Sequence, residues 1–211
     1  LQKSFRHQQL GPCAVRGCQL PIRARGLCWA CYQRLRWHGK LSMQWRPAVA
    51  NPGMPGTMLI PISKGMNAII DACDADVVSQ WRWSARVNGR NVYAQRIDHG
   101  HKIDLHRFLW RHWGMPETPE IDHENGNGLD CRRENLRPAT HMQNMWNMRL
   151  SAANTSGVKG VHFDKSRGKW AADIRAGETR LRLGRFDSIE DAAAAYRAAA
   201  ERLHGEFARA A

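Results

Sequence analysis

IDHENGNGLDCRRENLRPATHMQNMWNM, residues 121–148, sets an Asp-His pair ahead of a polar loop, an Asn behind the loop and a further Asn on a helical segment. Ile121 to His123 and Leu136-Arg137 read as two short strands flanking the loop Glu124 to Glu134. Thr140 can cap the following helix, with Gln143 at the third position as a capping box requires, and the pattern predicts a helix to about Leu150. Strand, loop, strand and helix would bring Asp122, His123, Asn135 and Asn144 within reach of one another. A regular strand points neighbouring side chains to opposite faces, so Asp122 and His123 require a distorted strand end.

These residue types in this order suit hydrolysis of a phosphodiester at one metal ion. Asp122 supplies a charged oxygen ligand for a hard cation and the amide oxygen of Asn144 a neutral one. His123, neutral near pH 7, can take a proton from the attacking water. An imidazole acts as a base only through the nitrogen lacking hydrogen, so its other nitrogen needs a partner; a carbonyl of Asn135 is the expected orienter. His141 and Asn147 lie one turn from Asn144 and stand as substitutes for it. An oxygen-lined site favours Mg²⁺ or Mn²⁺ over Zn²⁺.

Upstream, RPAVANPGMPG at 46–56 reads as a linker, and segments 57–62, 67–72 and 91–97, broken by Lys64-Gly65 and Asn88-Gly89, read as strands of a small sheet. Leu105, Phe108, Leu109 and Trp113 share one face of a short helix that Gly114 and Pro116 stop. The motifs Leu105-His106-Arg107, Asp122-His123, Asn125-Gly126-Asn127, Arg132 to Arg137 and Gln143-Asn144 together resemble the HNH (ββα-metal) endonucleases, in particular the phage homing branch. The resemblance covers roughly 57–150. It implies that Asp122 and Asn144 hold the metal, that His123 is the general base and that Asn135 positions it. Arg107, Arg132, Arg133 and Arg137 are candidates for holding DNA phosphates. His106 is open between a packing or capping role and a phosphate contact.

Ahead of the linker, Cys13, Cys18, Cys28 and Cys31 fall within 19 residues, the ligand number of a closed tetrahedral Zn²⁺ site. So short a segment has little apolar material, and the metal is expected to supply most of its stability. His38 is the alternative fourth ligand. Arg16, Arg23, Arg25, Arg34, Arg36 and Lys40 interleave with Trp29, Tyr32 and Trp37, which suits a zinc-held scaffold that contacts phosphates. The segment resembles N-terminal zinc modules of phage HNH proteins.

From Ser156 onward, runs at 158–163, 169–176 and 180–186 read as three strands, followed by an alanine-rich helix that Ser188 caps. Alternation puts Trp170, Ala172 and Ile174 on one face and Lys169, Asp173 and Arg175 on the other; Leu181 and Leu183 face inward, Arg180 and Arg182 outward. Residues 156–208 resemble the APETALA-type, or ethylene-response-factor, DNA-binding domain. That resemblance implies DNA contacts from Lys159, His162, Asp173, Arg175, Arg180 and Arg182.

The whole chain carries 32 Lys and Arg against 19 Asp and Glu, a net charge of +13 spread over all regions. A solvated basic surface is the plain alternative, but the balance fits a polyanionic partner better than a neutral metabolite. No run of 18 apolar residues occurs, so neither a membrane span nor a signal peptide is expected. Leu1 in place of an initiator Met points to a trimmed start, and residues 1–10 carry no part of the reading.

The expected architecture is α+β in several modules: a zinc-binding module at 1–46, a linker at 47–56, an HNH nuclease domain with a preceding small sheet at 57–152, and at 153–211 a three-stranded antiparallel sheet packed on one helix. The expected function is a metal-dependent, site-preferring DNA endonuclease that nicks duplex DNA, working as a monomer, with a dimer as the alternative. It would act in the cytoplasm of a cell that hosts a phage or mobile element. The rival readings are a DNA-binding regulator on an inactive nuclease scaffold and a restriction-type enzyme.

Overall fold

The computed structural model describes residues 11–15, 21–38, 47–98 and 100–209. The chain packs as two compact units, Leu1–Arg46 and Pro47–Ala211. In the first, Pro12 bridges Pro21, and Ala24 bridges Leu27 through a tight turn. Arg25 (φ 48°) and Gly26 (φ 77°) make that turn in the left-handed region. Helix α1 (Trp29–His38) follows, and Cys13, Leu27, Cys28 and Cys31 form a small buried cluster.

The second unit opens with an antiparallel sheet of β1 (Val49–Ala50), β2 (Thr57–Pro61) and β3 (Asn67–Asp71). After the short helix α2 (Ala75–Val78) comes an antiparallel meander of β4 (Ser84–Asn88), β5 (Asn91–Asp98) and β6 (His101–Asp104). Helix α3 (Leu105–His112) leaves β6 directly, and Gly114, at φ 67°, turns the chain away at its end. Its buried Leu105, Leu109 and Trp110 join Ile60, Ile70, Val78 and Trp83 in one core, and His106 is buried on the same helix. The two-stranded ribbon of β7 (Glu120–His123) and β8 (Leu136–Ala139) adds Ile121 and Leu136 to that core.

Helix α4 (His141–Asn147) starts with the capping box expected of Thr140 and Gln143, both reciprocal bonds being present. It ends at Asn147, before the expected Leu150. Met148 turns extended at ψ 142°, and the Lys159 ammonium takes up the carbonyls released there, donating to Trp146 O at 2.6 Å and Met148 O at 3.0 Å.

The C-terminal part is the expected three-stranded antiparallel sheet on one helix: β9 (Val161–Asp164), β10 (Lys169–Ala176), β11 (Thr179–Phe186) and α5 (Ile189–His204). Val161, Ala172 and Ile174 pack against Ala192, Tyr196, Ala199 and Ala200 of α5. Small alanines let the helix lie close to the sheet. The backbone of Gly160 passes so near Tyr196 that a Cβ there would collide with its ring. Leu181 departs from the expected inward face: it stays 38% exposed, while Leu183 joins the core. Among the described residues, no helix is long and apolar enough to cross a membrane.

Candidate active site and nucleic-acid interface

Antiparallel pairing sets Asp122 opposite Arg137 and His123 opposite Leu136. The loop between the strands is closed by its own polar groups. Glu124 N donates to Asn135 O at 2.9 Å, Asn125 N to Asn135 Oδ1 at 3.0 Å, and Asn135 Nδ2 to Asp130 O at 2.7 Å. Asn135 therefore braces the loop that carries His123 and bonds neither nitrogen of its ring. Asp130 is 2% exposed and accepts from Asn125 Nδ2 at 2.7 Å and from Arg132 Nη2 at 2.7 Å. The loop is anchored to β3 through Ile69, whose N and O bond Leu129 O and Cys131 N, each at 2.8 Å. Gly128 lies against β5 so closely that a Cβ would sit 2.6 Å from Val92 O and 2.7 Å from the Tyr93 ring.

Both residues of the Asp-His pair are buried, Asp122 at 3% and His123 at 6% exposure. A small polar cavity of about 60 Å³ is lined by Asp122, His123, Asn144, Asn147, Tyr93 and Arg149, among others. Burial is the largest influence on His123 and lowers its pKa to about 4, against the opposing pull of Asp122, Asp130 and Asp104. The imidazole is therefore neutral near pH 7, the form a general base needs. Tyr93 and His106 flank it, the His106 ring 5.0 Å away, centroid to centroid, at 78°.

Of the two helix amides considered, the structure brings Asn147 onto Asp122. Asn147 Nδ2 lies 3.0 and 2.9 Å from Asp122 Oδ1 and Oδ2, 2.9 Å from His123 O and 3.1 Å from Glu124 O. Asn144 also lines the cavity but turns its Nδ2 to Glu120, whose other oxygen meets His141 Nδ1 at 2.7 Å. These bonds, led by that from Asn144, lower the pKa of Glu120 and clamp α4 to β7.

An NH₂ group has two hydrogens, whereas four oxygens converge on the Asn147 nitrogen. The Asp122 carboxylate meets nitrogens on two sides, the Asn147 amide and the Arg137 guanidinium 2.9 Å from Oδ2. Among the described residues, the group of three or more His, Cys, Asp or Glu side chains able to hold a metal lies elsewhere, at Cys13, Cys28 and Cys31. Their ligand atoms lie within 4.8 Å of one another. This corrects the expected cofactors: the cluster seen has three cysteines rather than four, and Mg²⁺ or Mn²⁺ at Asp122 and Asn144 has no such ligand group behind it. Cys18, Arg16 and Lys40 lie outside the described residues, as do the side chains of Arg34, Trp37 and His38.

The arginines near the site are drawn inward to differing degrees. Arg137 donates through Nε to Asp122 Oδ2 at 2.9 Å and through Nη1 to Glu206 O at 2.8 Å, with its guanidinium 3.9 Å from the Phe207 ring centre. Arg132 is spent on Asp130 and Glu134. Arg133 lies over the Trp113 ring at 4.8 Å, and Arg107 donates to Pro119 O at 3.0 Å.

On the C-terminal sheet, His162, Asp164, Asp173, Arg180, Arg182 and Arg185 line a concave polar face enclosing about 430 Å³. Asp173 organises it, accepting from Arg180 Nη2 at 2.7 Å and lying 3.8 Å from His162 and 4.0 Å from Arg182. A bulge between Ala172 and Asp173 shifts the register there, pairing Asp173 with Arg182. Arg175 pairs with Arg180 in the same ladder and is exposed. Lys159 is half-buried against α4; burial first, then the charge of Arg209, lowers its pKa to about 8.

Two family models match the chain: an HNH endonuclease over residues 104–146 and an AP2 domain over residues 156–206. The chain is 39% identical over 95 residues to Protein 3.8 of Escherichia phage T7, covering 45% of this chain and 78% of that protein. It is 29% identical over 153 residues to an uncharacterized HNH endonuclease of Acanthamoeba polyphaga mimivirus, covering 71% of this chain and 77% of the relative. No solved structure matches.

Proposed function

We propose, from the premise that this chain belongs to the HNH endonuclease family, that it is a site-preferring, metal-dependent endonuclease that nicks one strand of duplex DNA. The observation that carries the reading is the buried pair at the end of β7: a neutral imidazole beside a carboxylate, both opening on one polar cavity. His123 takes the proton from the attacking water. Asp122, held by Asn147 and Arg137, faces the same cavity as His123. Asn144, which also lines the cavity, is available to a substrate phosphate. Asn135 acts through the loop, keeping His123 in place without touching it.

One such site per chain favours a nick over a double-strand break. The C-terminal domain, 153–211, reads duplex DNA through His162, Arg175, Arg180 and Arg182, a bidentate arginine–guanine pair being worth about 1–3 kcal/mol of discrimination. Arg107 and Arg133 are the better placed of the four central arginines to meet phosphates, since Arg132 and Arg137 are committed to buried carboxylates. The module at 1–46 adds basic contacts on its cysteine scaffold. On this reading the protein works as a monomer on DNA inside a cell that hosts a phage or mobile element.

The test is to incubate supercoiled and linear DNA with the protein, with and without a chelator, and to sequence the ends. Recurrent single-strand ends that vanish with the chelator and with Asp122→Ala or His123→Ala, while DNA binding persists, support the proposal. Intact DNA under every divalent cation tried would leave a DNA-binding regulator. Cleavage of both strands at a short fixed site, blocked by base methylation, would favour a restriction enzyme.

A further inference from the structure

A histidine acting as general base needs a hydrogen-bond partner on the ring nitrogen it does not use, and Asn135, the residue expected to supply one, is committed to the loop. His123 Nε2 is buried and has no hydrogen-bond partner among the described residues. His106 Nδ1 is in the same condition, on a ring whose centre is 5.0 Å from that of His123 and nearly perpendicular to it; the two nitrogens do not bond each other in this structure, and a turn of either ring is needed to join them. A neutral imidazole offers one donor and one acceptor nitrogen, so two neighbouring imidazoles can satisfy each other when one presents N–H and the other a lone pair.

We propose that His106 is the positioning residue of the nuclease site: its Nδ1 accepts a hydrogen from His123 Nε2, leaving Nδ1 of His123 with the lone pair that faces the cavity. The inference rests on His123 being the base, and the placement of His106 supports it. His106 stands in the first turn of α3, on the helix that buries Leu105 and Leu109, so its ring is carried by a core element rather than by the loop. Tyr93 packs against both imidazoles, 5.8 Å from each ring centre. The alternative direction, with His106 donating, would force hydrogen onto His123 Nδ1 and leave no lone pair for water.

The decisive measurement uses the full chain labelled with ¹⁵N-histidine, without added metal, at neutral pH. Long-range ¹H–¹⁵N correlations are expected to show His123 protonated at Nε2 and bare at Nδ1, His106 bare at Nδ1, and a nitrogen–nitrogen coupling across the bond between them. His123 protonated at Nδ1 overturns the inference, whatever the protein does to DNA. In plasmid nicking, His106→Phe, which fills the space without a lone pair, should lower kcat about 10- to 100-fold with little change in KM. His106→Asn, whose Oδ1 falls near the place of Nδ1, should restore most of it. Undiminished kcat in His106→Phe overturns the proposal. If wild-type protein cuts no DNA, the nuclease reading fails by itself, and the histidine spectra still decide the pairing.

Discussion

Trp146 lies flat on His204, with ring centroids 4.3 Å apart and planes 12° from parallel. The first residue belongs to the helix that carries Asn147, the second to the last turn of α5, so the stack joins the nuclease ribbon to the C-terminal sheet-and-helix. His204 Nε2 lies 2.7 Å from Arg175 O, which holds the ring in that plane. The Lys159 bonds to the end of α4 and the Arg137 bond to Glu206 O make the same junction from two other directions.

Trp146→Ala should therefore loosen the junction rather than one module. An aromatic pair contributes about 0.5–1.5 kcal/mol beyond its buried area, so a stability loss of at least about 1 kcal/mol is expected in urea titrations. Amide exchange should quicken at the end of α5 and in residues 148–160 together. Exchange confined to α4 would argue against a shared junction.

Arg137 and Asp122 form a nearly buried ion pair, with side-chain exposures of 12% and 4%. Removing one partner of such a pair leaves an uncompensated charge and costs about 3–5 kcal/mol. Arg137→Met should approach that loss, and adding Asp122→Asn should give part of it back. Additive losses in the double variant would show that the two side chains do not depend on each other.

Asn135→Ala removes two loop bonds and leaves the Asn125 N–H without its acceptor, an expected cost of about 1–3 kcal/mol. Faster amide exchange at Glu124 and Asn125 is the direct readout. Unchanged exchange with lost cleavage would instead assign Asn135 a chemical role.

Replacing Arg180 or Arg182 by Ala should weaken duplex binding and lower the slope of log affinity against log salt by about 1 for each phosphate that the arginine neutralises. A variant that relaxes sequence preference without changing the slope would identify an arginine that reads a base. Asp173→Ala should scatter the face, since it frees Arg180 and removes the neighbour of His162 and Arg182.

Burial depresses the pKa of both His106 and His204 below the ordinary histidine value, most strongly at His106. Below about pH 6.5 the unfolded chain takes up protons that the native state refuses, so stability present above that pH is lost as pH falls. Melting temperature measured from pH 7.5 to pH 5 should decline, and a flat profile would contradict the burial of these rings. His204→Phe should flatten the profile in part.

The Asp-His strand, the capped helix, the antiparallel C-terminal sheet and its alanine-rich helix are legible in the sequence because each is written in local periodicity or in a cap. Strands β4 and β6 are harder to see: Ser84–Asn88 and His101–Asp104 are polar segments that pair as strands because β5 lies between them. The choice between Asn144 and Asn147 is not legible either. Both project toward β7, and which one reaches Asp122 depends on how Glu120 clamps the helix, a contact separated by 24 residues from Asn144. The commitment of Arg132, Arg137 and Lys159 to internal partners is hidden for the same reason, since a basic side chain looks alike in sequence whether it meets a carboxylate, a helix end or a phosphate. The orphaned nitrogens of His106 and His123 have one sequence signal, the Leu-His-Arg motif ahead of the nuclease segment, but nothing there ties it to the imidazole downstream.

On the proposed function, the stack of Trp146 on His204, with Arg137 and Lys159 beside it, would serve as a built-in ruler. A reader joined to its blade by a floppy tether would cut over a spread of offsets. One bolted to it through the helix behind the blade should cut at a constant number of base pairs from the sequence it recognises, and loosening the bolt should blur that interval before it abolishes the cut.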